Sequence, residues 1–234
     1  MRWLNLLRRL RIRTNAAIAL VLITLSASVG LATRLYVPNP LGHIIFVITR
    51  ICLLLLPIVW FLIVDRGHLR WQRPSMRDMK AGLVIGVTMA GVIIGAYGAV
   101  GTQWLNPSTV QTAAHNIGLA SPLAYLAFAI YFTVMNAFVE EYIWRWFVYR
   151  KWTVLVQPQT AVWLAALCFT LHHIIALYGY TGNGLVTIVG STGVFIAGAM
   201  WSWCFLRYQS LWVCYISHAL ADLAIALVGW HLLF

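Results

Sequence analysis

Three of the five acidic residues in this 234-residue chain lie in stretches apolar enough to cross a lipid bilayer: Glu140, Glu141 and Asp222. An unpaired carboxylate is costly in hydrocarbon, so ionisable residues within membrane spans are functional candidates by default. The neighbouring apolar stretches hold further ionisable side chains, namely Arg145, His172, His173 and His218. The sequence therefore indicates a site inside the membrane at which carboxylates, imidazoles and a guanidinium meet.

The adjacent glutamates are expected to play different parts. Glu141 and Arg145 are four positions apart on a helix, with the acid nearer the amino end, which is the favourable order for an ion pair. Glu140 points to another face of the helix and is left over as a carboxylate suited to general base catalysis. The alternative is that both glutamates join Arg145 in a purely structural charge cluster.

Two further motifs have a spacing of four residues, which places their members on one helical face. In the first, Phe169 precedes His173, while the adjacent His172 points about 100° away. At most one of the two histidines is therefore expected to face the site. In the second, His218 precedes Asp222, and a histidine and a carboxylate so placed can orient one another, as bases and metal ligands require.

The elements that must position these residues are transmembrane helices. The chain is 62% hydrophobic and 9% charged, and runs of about 20 apolar residues are long enough to cross roughly 30 Å of hydrocarbon. Such runs predict spans at 15–36, 41–64, 81–104, 122–148, 159–179, 184–206 and 211–233. The sequence thus predicts an all-α polytopic membrane bundle of about seven helices, with residues 1–234 forming one transmembrane domain. A short helix is expected in the connection 106–121.

The basic residues predict the orientation of the bundle. Nearly all Lys and Arg residues fall in alternate connections, beginning with the basic segment 1–14, so the amino terminus is expected to be cytoplasmic. This distribution explains the net charge of +11 without nucleic acid as a partner. The first apolar run is longer than a signal-peptide core, so we expect it to be retained. The compact size suits a prokaryotic plasma (inner) membrane.

In chain order, Glu140-Glu141-xxx-Arg145, Phe169-xxx-His173 and His218-xxx-Asp222 resemble the motifs of the CAAX protease and bacteriocin-processing (CPBP) family of intramembrane endopeptidases. The resemblance covers about residues 122–225, which would form the catalytic core. It implies hydrolysis of a peptide bond in a membrane-associated protein or peptide by a glutamate-activated water, without a cofactor.

The resemblance also implies roles by matching position. Glu140 would be the general base and His173 would help to hold the water. Glu141 and Arg145 would be a supporting pair, with Phe169 in the same supporting set.

His218 and the residue at position 222 would hold the oxyanion of the tetrahedral intermediate. The family often has asparagine at this second position, and an ionised aspartate cannot donate a hydrogen bond to an oxyanion. We therefore expect Asp222 to accept a hydrogen bond from His218, which leaves His218 as the oxyanion donor.

Arg50 lies about nine residues into the second predicted span, too deep to reach water easily. A structural interpretation pairs it with a carboxylate or with backbone carbonyls. A functional interpretation makes it a substrate-binding residue that receives an acidic group, such as a terminal carboxylate.

Two alternatives to the glutamate mechanism stay open. Glu140, His173, His218 and Asp222 are acceptable zinc ligands, and three of them with an open position would make a hydrolytic centre. No HExxH motif favours that reading. The other alternative is a nonenzymatic membrane protein, such as an immunity factor or scaffold, or a small transporter.

Overall fold

The computed structural model describes residues 2–69 and 72–234, with side chains from residue 7 onwards. These residues form helices and no strands. The helices are α1 Arg2–Tyr36, α2 Pro40–Val64, α3 Met76–Trp104, α4 Pro107–Asn116, α5 Pro122–Leu155, α6 Pro158–Thr181, α7 Gly184–Tyr208 and α8 Leu211–Leu233. All except α4 are long and apolar enough to cross a membrane. The predicted all-α fold with seven membrane-spanning helices is confirmed, and the protein is an integral multi-pass membrane protein.

The observed helix bounds differ most from the predicted spans in three places. Helix α3 begins at Met76, ahead of its predicted start at 81. The described part of the basic segment 1–14 continues α1 as a helix, and α5 extends beyond the predicted end at 148 to Leu155. The short helix expected between the third and fourth spans is α4. A cytoplasmic amino terminus stays a prediction, since helix packing alone does not distinguish the two sides of a membrane.

Hydrogen bonds to side chains fix where many of the helices begin. The side chain of the residue before the helix accepts a backbone N–H of the first turn at Asn39, Ser75, Asn106, Ser121, Asn183 and Ser210. These are the residue types preferred at this position, because their oxygen satisfies a donor that has no partner within the helix. Helix α6 is followed directly by Gly182, whose φ of 60° is a left-handed conformation that glycine adopts without strain.

Helices α3 and α8 pack closely along their length. The Asp78 carboxylate accepts hydrogen bonds from the Ser75 backbone at 3.2 Å and from the Ser210 hydroxyl at 3.1 Å, which joins the starts of the two helices. Further along, a Cβ on Gly86 would lie 2.9 Å from the Cα of Ser217, so only glycine permits this approach. This contact fixes the position of α8 at the residue before His218.

Helix α5 is irregular on both sides of the glutamate pair. Wider π-helical turns run over Tyr131–Asn136 and Tyr142–Tyr149, and an α-helical segment, Ala137–Glu141, separates them. Such turns occur frequently at functional sites, where they re-aim side chains. Here the second wide segment buries most of its side chains in the bundle, including Trp144 and Arg145.

Helix α2 packs beside α5 through polar as well as aromatic contacts. The Tyr142 hydroxyl donates a hydrogen bond to the Leu54 carbonyl at 3.1 Å. Beyond the end of α2, Asp65 forms an ion pair with Lys151. These two contacts fix the position of α2 relative to the glutamates.

Candidate active site

The predicted polar residues of α5, α6 and α8 meet in the interior of the bundle. His218 on α8 lies 2.7 Å from Glu141 and 3.6 Å from Glu140, both on α5. On α6, the Phe169 ring lies 4.4 Å from the His173 ring and 6.2 Å from the His218 ring, measured between centroids. The structure therefore brings the three motifs into one cluster.

Glu141 and Arg145 form the expected ion pair. Arg145 Nη1 donates to Glu141 Oε1 at 2.9 Å, and the two side chains are each only 1% exposed. The guanidinium also donates to the Gly198 carbonyl at 3.3 Å and lies 4.6 Å from the Phe169 ring centroid and 5.0 Å from that of Trp201. A buried pair with these additional partners is held in one geometry.

His218 is hydrogen-bonded to Glu141 more closely than to Asp222. Its Nδ1 lies 2.7 Å from Glu141 Oε1 and, because a carboxylate only accepts, Nδ1 carries the proton in this bond. Its Nε2 lies 3.5 Å from Asp222 Oδ1 and 3.6 Å from Glu140 Oε2. The ring is stacked on Trp201 at 3.9 Å. The carboxylate that orients His218 is therefore Glu141, and Asp222 lies at the opposite nitrogen.

Glu140 occupies a different setting from Glu141. Its side chain is 16% exposed, and it has no ion pair with a lysine or arginine in the described part of the chain. One Glu140 oxygen and one ring nitrogen each of His172 and His173 lie within 4.8 Å of one another. This separation is one that a single water molecule spans with two hydrogen bonds.

His173 is held in one tautomer by its own helix. Its Nδ1 lies 2.9 Å from the Phe169 carbonyl oxygen, which can only accept a hydrogen bond. Nδ1 therefore carries the proton in the neutral ring, and Nε2 has a free lone pair. A histidine so arranged can accept a hydrogen bond from water or bind a metal ion.

The expectation that only one of the two adjacent histidines faces the site was wrong. His172 also approaches Glu140, and its ring lies 4.2 Å from the His173 ring. The His172 ring is stacked almost parallel on Trp144, at 5.2 Å and 8°. This stacking turns the imidazole towards the glutamate although its Cα–Cβ bond starts about 100° away from that of His173.

The same cluster shows which residues fit a metal ion. Glu140, His172 and His173 supply one carboxylate and two imidazoles, the ligand types that zinc prefers. Ligand atoms around tetrahedral zinc lie roughly 3.4 Å apart, so this trio fits in type and with a modest adjustment of distance. The trio differs from the set considered on sequence, since His172 replaces His218 and Asp222.

Two tryptophans outside the three motifs, Trp201 and Trp144, complete the site. The Trp201 ring contacts both Arg145 and His218, and its indole N–H donates to Ser217 at 3.1 Å. Trp144 could be recognised from the sequence as a residue close to the site, because it is one of the two tryptophans next to the glutamate pair.

Arg50 has neither of the structural partners expected for it. In the part of the chain that the structure describes, no carboxylate lies within 4 Å of its guanidinium and no carbonyl accepts a hydrogen bond from it. The guanidinium lies 5.1 Å from the ring of Phe46 on its own helix, and the residue is exposed.

The fold and site define a polytopic helical membrane protein with a buried cluster of carboxylates, imidazoles and one guanidinium. Residues 122–224 match the family model described as "Type II CAAX prenyl endopeptidase Rce1-like". This match confirms the family resemblance inferred from the motifs, and it spans every residue of the cluster but not Arg50. No curated protein and no solved structure matches the chain.

Proposed function

We propose that the protein is an intramembrane endopeptidase that cleaves a membrane-associated protein or peptide with a water activated by Glu140. The proposal rests on the contrast between two adjacent glutamates. Glu141 is buried in an ion pair with Arg145, whereas Glu140 is partly exposed and faces the two histidines. The Rce1-like match over residues 122–224 supports peptide-bond hydrolysis as the reaction. We propose the range 122–225 as the catalytic core.

In the proposed reaction, Glu140 and Nε2 of His173 hold the attacking water between them. Glu140 takes a proton from the water while the water oxygen attacks the carbonyl carbon of the substrate. The carbonyl π electrons move to the oxygen and form the tetrahedral oxyanion. When the C–N bond breaks, the protonated Glu140 returns the proton to the leaving amine.

In the proposed reaction, His218 stabilises the oxyanion through Nε2. Its Nδ1–H is bonded to Glu141, so Nε2 donates to the oxyanion when the ring is doubly protonated, the form that the neighbouring carboxylates of Glu141 and Asp222 favour. Donors aimed at a developing oxyanion contribute a few kcal/mol to catalysis. The stacking of His218 on Trp201 and its bond to Glu141 fix that direction in advance.

The most direct test uses the purified protein in liposomes with a prenylated peptide that ends in a CAAX sequence. We expect mass spectrometry to detect two peptide products with wild-type protein. Two further substrates are tested in the same way: a leader-bearing bacteriocin precursor and a protein with a membrane-embedded sorting tail. If none of the three is cleaved, the result favours a scaffold or immunity protein. Localisation in a prokaryotic plasma membrane is part of the same proposal.

Replacing Asp222 with Asn is expected to preserve much of the activity. Asparagine has the same shape, and the bond that orients His218 comes from Glu141. The loss should stay below about tenfold, the scale of one neutral hydrogen bond. Hydrolysis rates of Asp222→Asn and Asp222→Leu would be compared at equal thermal stability. A folded but inactive Asn variant would show that the carboxylate itself is required.

A zinc-dependent protease is the second candidate, because Glu140, His172 and His173 form a possible ligand trio. Replacing His172 with Phe keeps a ring that can stack on Trp144 and removes both nitrogens. With the metal-free mechanism we expect activity to fall by less than about tenfold. With a zinc mechanism, His172→Phe should lose bound metal and activity together.

The measurement combines metal analysis of the purified variants with activity before and after treatment with a chelator. His173→Phe is the matched control, since its loss removes the free Nε2 in both mechanisms. Stoichiometric zinc in wild-type protein and chelator-sensitive activity would overturn the metal-free proposal.

A further inference from the structure

The connection between α1 and α2 lines a cavity of about 290 Å³ at one end of the bundle, which we call the α1–α2 pocket. Three of its lining side chains carry hydrogen-bond donors, namely Arg34, Asn39 and His43. The other lining residues are Thr33, Val37, Pro38 and Pro40. A pocket whose polar groups are mainly donors fits an anion, because the oxygens of an anion only accept.

The donors of the α1–α2 pocket have no acceptor among the described residues. The side-chain oxygen of Asn39 accepts the Gly42 N–H at 2.9 Å, so its NH₂ group is the end left for a ligand. No residue in the described ranges accepts a hydrogen bond from the Arg34 guanidinium or forms an ion pair with Arg34 or His43. Thr33 donates its hydroxyl proton to carbonyls of its own helix and adds no donor. A ligand that brings acceptors would therefore satisfy all three donor side chains.

None of the five acidic residues of the chain lies at this end of the bundle. Asp65 follows α2 at its other end, roughly 38 Å along the helix from Pro40. Asp78 lies in the first turn of α3, at the same end as Asp65. The other three are in the cluster around His218, namely Glu140, Glu141 and Asp222. The counterion of Arg34 therefore comes from outside the chain.

The α1–α2 pocket lies at the level of the lipid headgroups. Arg34 lies two residues before the end of α1 and His43 three residues after the start of α2, so both are within about 5 Å of a helix end. Helix α2 has 25 residues and is about 37 Å long. It is thus longer than the roughly 30 Å of hydrocarbon in a bilayer, and its ends reach the headgroup region, where the phosphates lie.

We propose that the α1–α2 pocket binds the phosphate of an anionic phospholipid whose headgroup carries no ammonium group, such as phosphatidylglycerol. Arg34 binds the phosphate oxygens through its fork of donors, and Asn39 and His43 donate to the same group. The headgroup of phosphatidylcholine would bring a second cation next to Arg34, where no carboxylate compensates it. This proposal does not depend on the endopeptidase function.

The test uses purified protein in phosphatidylcholine liposomes that contain a trace of a photoreactive lipid. Two probes carry the same photoreactive group on an acyl chain next to the glycerol, one with a phosphatidylglycerol headgroup and one with a phosphatidylcholine headgroup. After illumination, peptide mass spectrometry measures the labelling of residues 33–43. We expect the phosphatidylglycerol probe to label this segment about five- to tenfold more, the scale of one basic residue at a membrane surface. Equal labelling by the two probes would overturn the proposal.

Competition distinguishes a lipid from a free anion. Unlabelled phosphatidylglycerol should suppress the labelling of residues 33–43 by the phosphatidylglycerol probe, whereas inorganic phosphate at the same concentration should not. Equal suppression by inorganic phosphate would show a site for the free anion and would overturn the lipid as the ligand.

The Arg34→Gln variant should reduce labelling of residues 33–43 by the phosphatidylglycerol probe to the level of the phosphatidylcholine probe. Arg34→Lys should recover part of the difference, because it restores the charge without the fork of donors. Arg11→Gln is the matched control, since Arg11 is an exposed arginine near the other end of the same helix and its loss should leave this labelling as in wild type. Undiminished labelling of Arg34→Gln would contradict the proposal.

The Asn39→Asp variant separates lipid binding from folding. Aspartate keeps an oxygen that accepts the Gly42 N–H, and it is as well suited as asparagine to the position before a helix. It replaces the NH₂ donor by a negative oxygen, which repels a phosphate. Thermal unfolding should therefore match that of wild type, while the preference for the phosphatidylglycerol probe is lost. A stable Asn39→Asp protein that keeps the preference would show that the phosphate does not bind in this pocket.

Discussion

Replacing Glu140 with Gln is expected to reduce peptide cleavage by roughly 10²- to 10⁴-fold, the contribution typical of a general base. Glutamine keeps the size and shape of the side chain but cannot take a proton from water. Glu140 is partly exposed and has no ion pair with Lys or Arg among the described residues, so the variant should fold normally. The measurement is the single-turnover rate on the prenylated peptide in liposomes, together with thermal unfolding.

Glu141→Gln is the matched control, because it makes the same chemical change one residue further along. This variant removes the charge that pairs with Arg145 and orients His218, so we expect lower stability as well as lower activity. Glu140→Gln should therefore lose activity but keep its stability, whereas Glu141→Gln should lose both activity and stability. Wild-type rates for a stable Glu140→Gln protein would exclude Glu140 as the base.

The features that could be predicted from the sequence are those set by local spacing. Seven apolar runs of sufficient length predict the seven helices, because backbone N–H and C=O groups in hydrocarbon must form hydrogen bonds with each other, and a helix satisfies them within one segment. The Glu141–Arg145 pair follows from the same rule, since residues four apart are neighbours even where α5 carries π-helical turns. The residues of the site could also be predicted, because few ionisable residues lie within the spans and those that do are functional candidates.

Contacts between helices were harder to predict, because their rotation about the helix axis depends on packing. His172 faces Glu140 through its stacking on Trp144, which helical spacing within α6 does not reveal. The His218–Glu141 bond joins α8 to α5, and spacing within α8 suggested Asp222 instead. Likewise, the lack of an acidic partner for Arg50 becomes evident only when every acidic residue has been placed.

Removing one partner of the buried ion pair between Glu141 and Arg145 should destabilise the protein more than any other single substitution proposed for the site. We expect Arg145→Met to lower the free energy of unfolding by about 3–5 kcal/mol, because it leaves a buried carboxylate without its cation. Methionine fills much of the space between Phe169 and Trp201. The loss of stability should therefore result from the missing charge and not from a cavity. Equilibrium unfolding in detergent is the measurement.

The double variant Glu141→Gln/Arg145→Met distinguishes a charge effect from a packing effect. Replacing a whole buried pair by uncharged groups is often neutral, whereas removing one partner is not. The double variant should therefore regain most of the stability that Arg145→Met loses, and a glutamine oxygen can still accept from His218. Its activity should stay low, because His218 then lacks the carboxylate that stabilises its charge during oxyanion formation. If the double variant is as unstable as Arg145→Met, the contacts of Arg145 with Gly198 and the aromatic rings matter more than its charge.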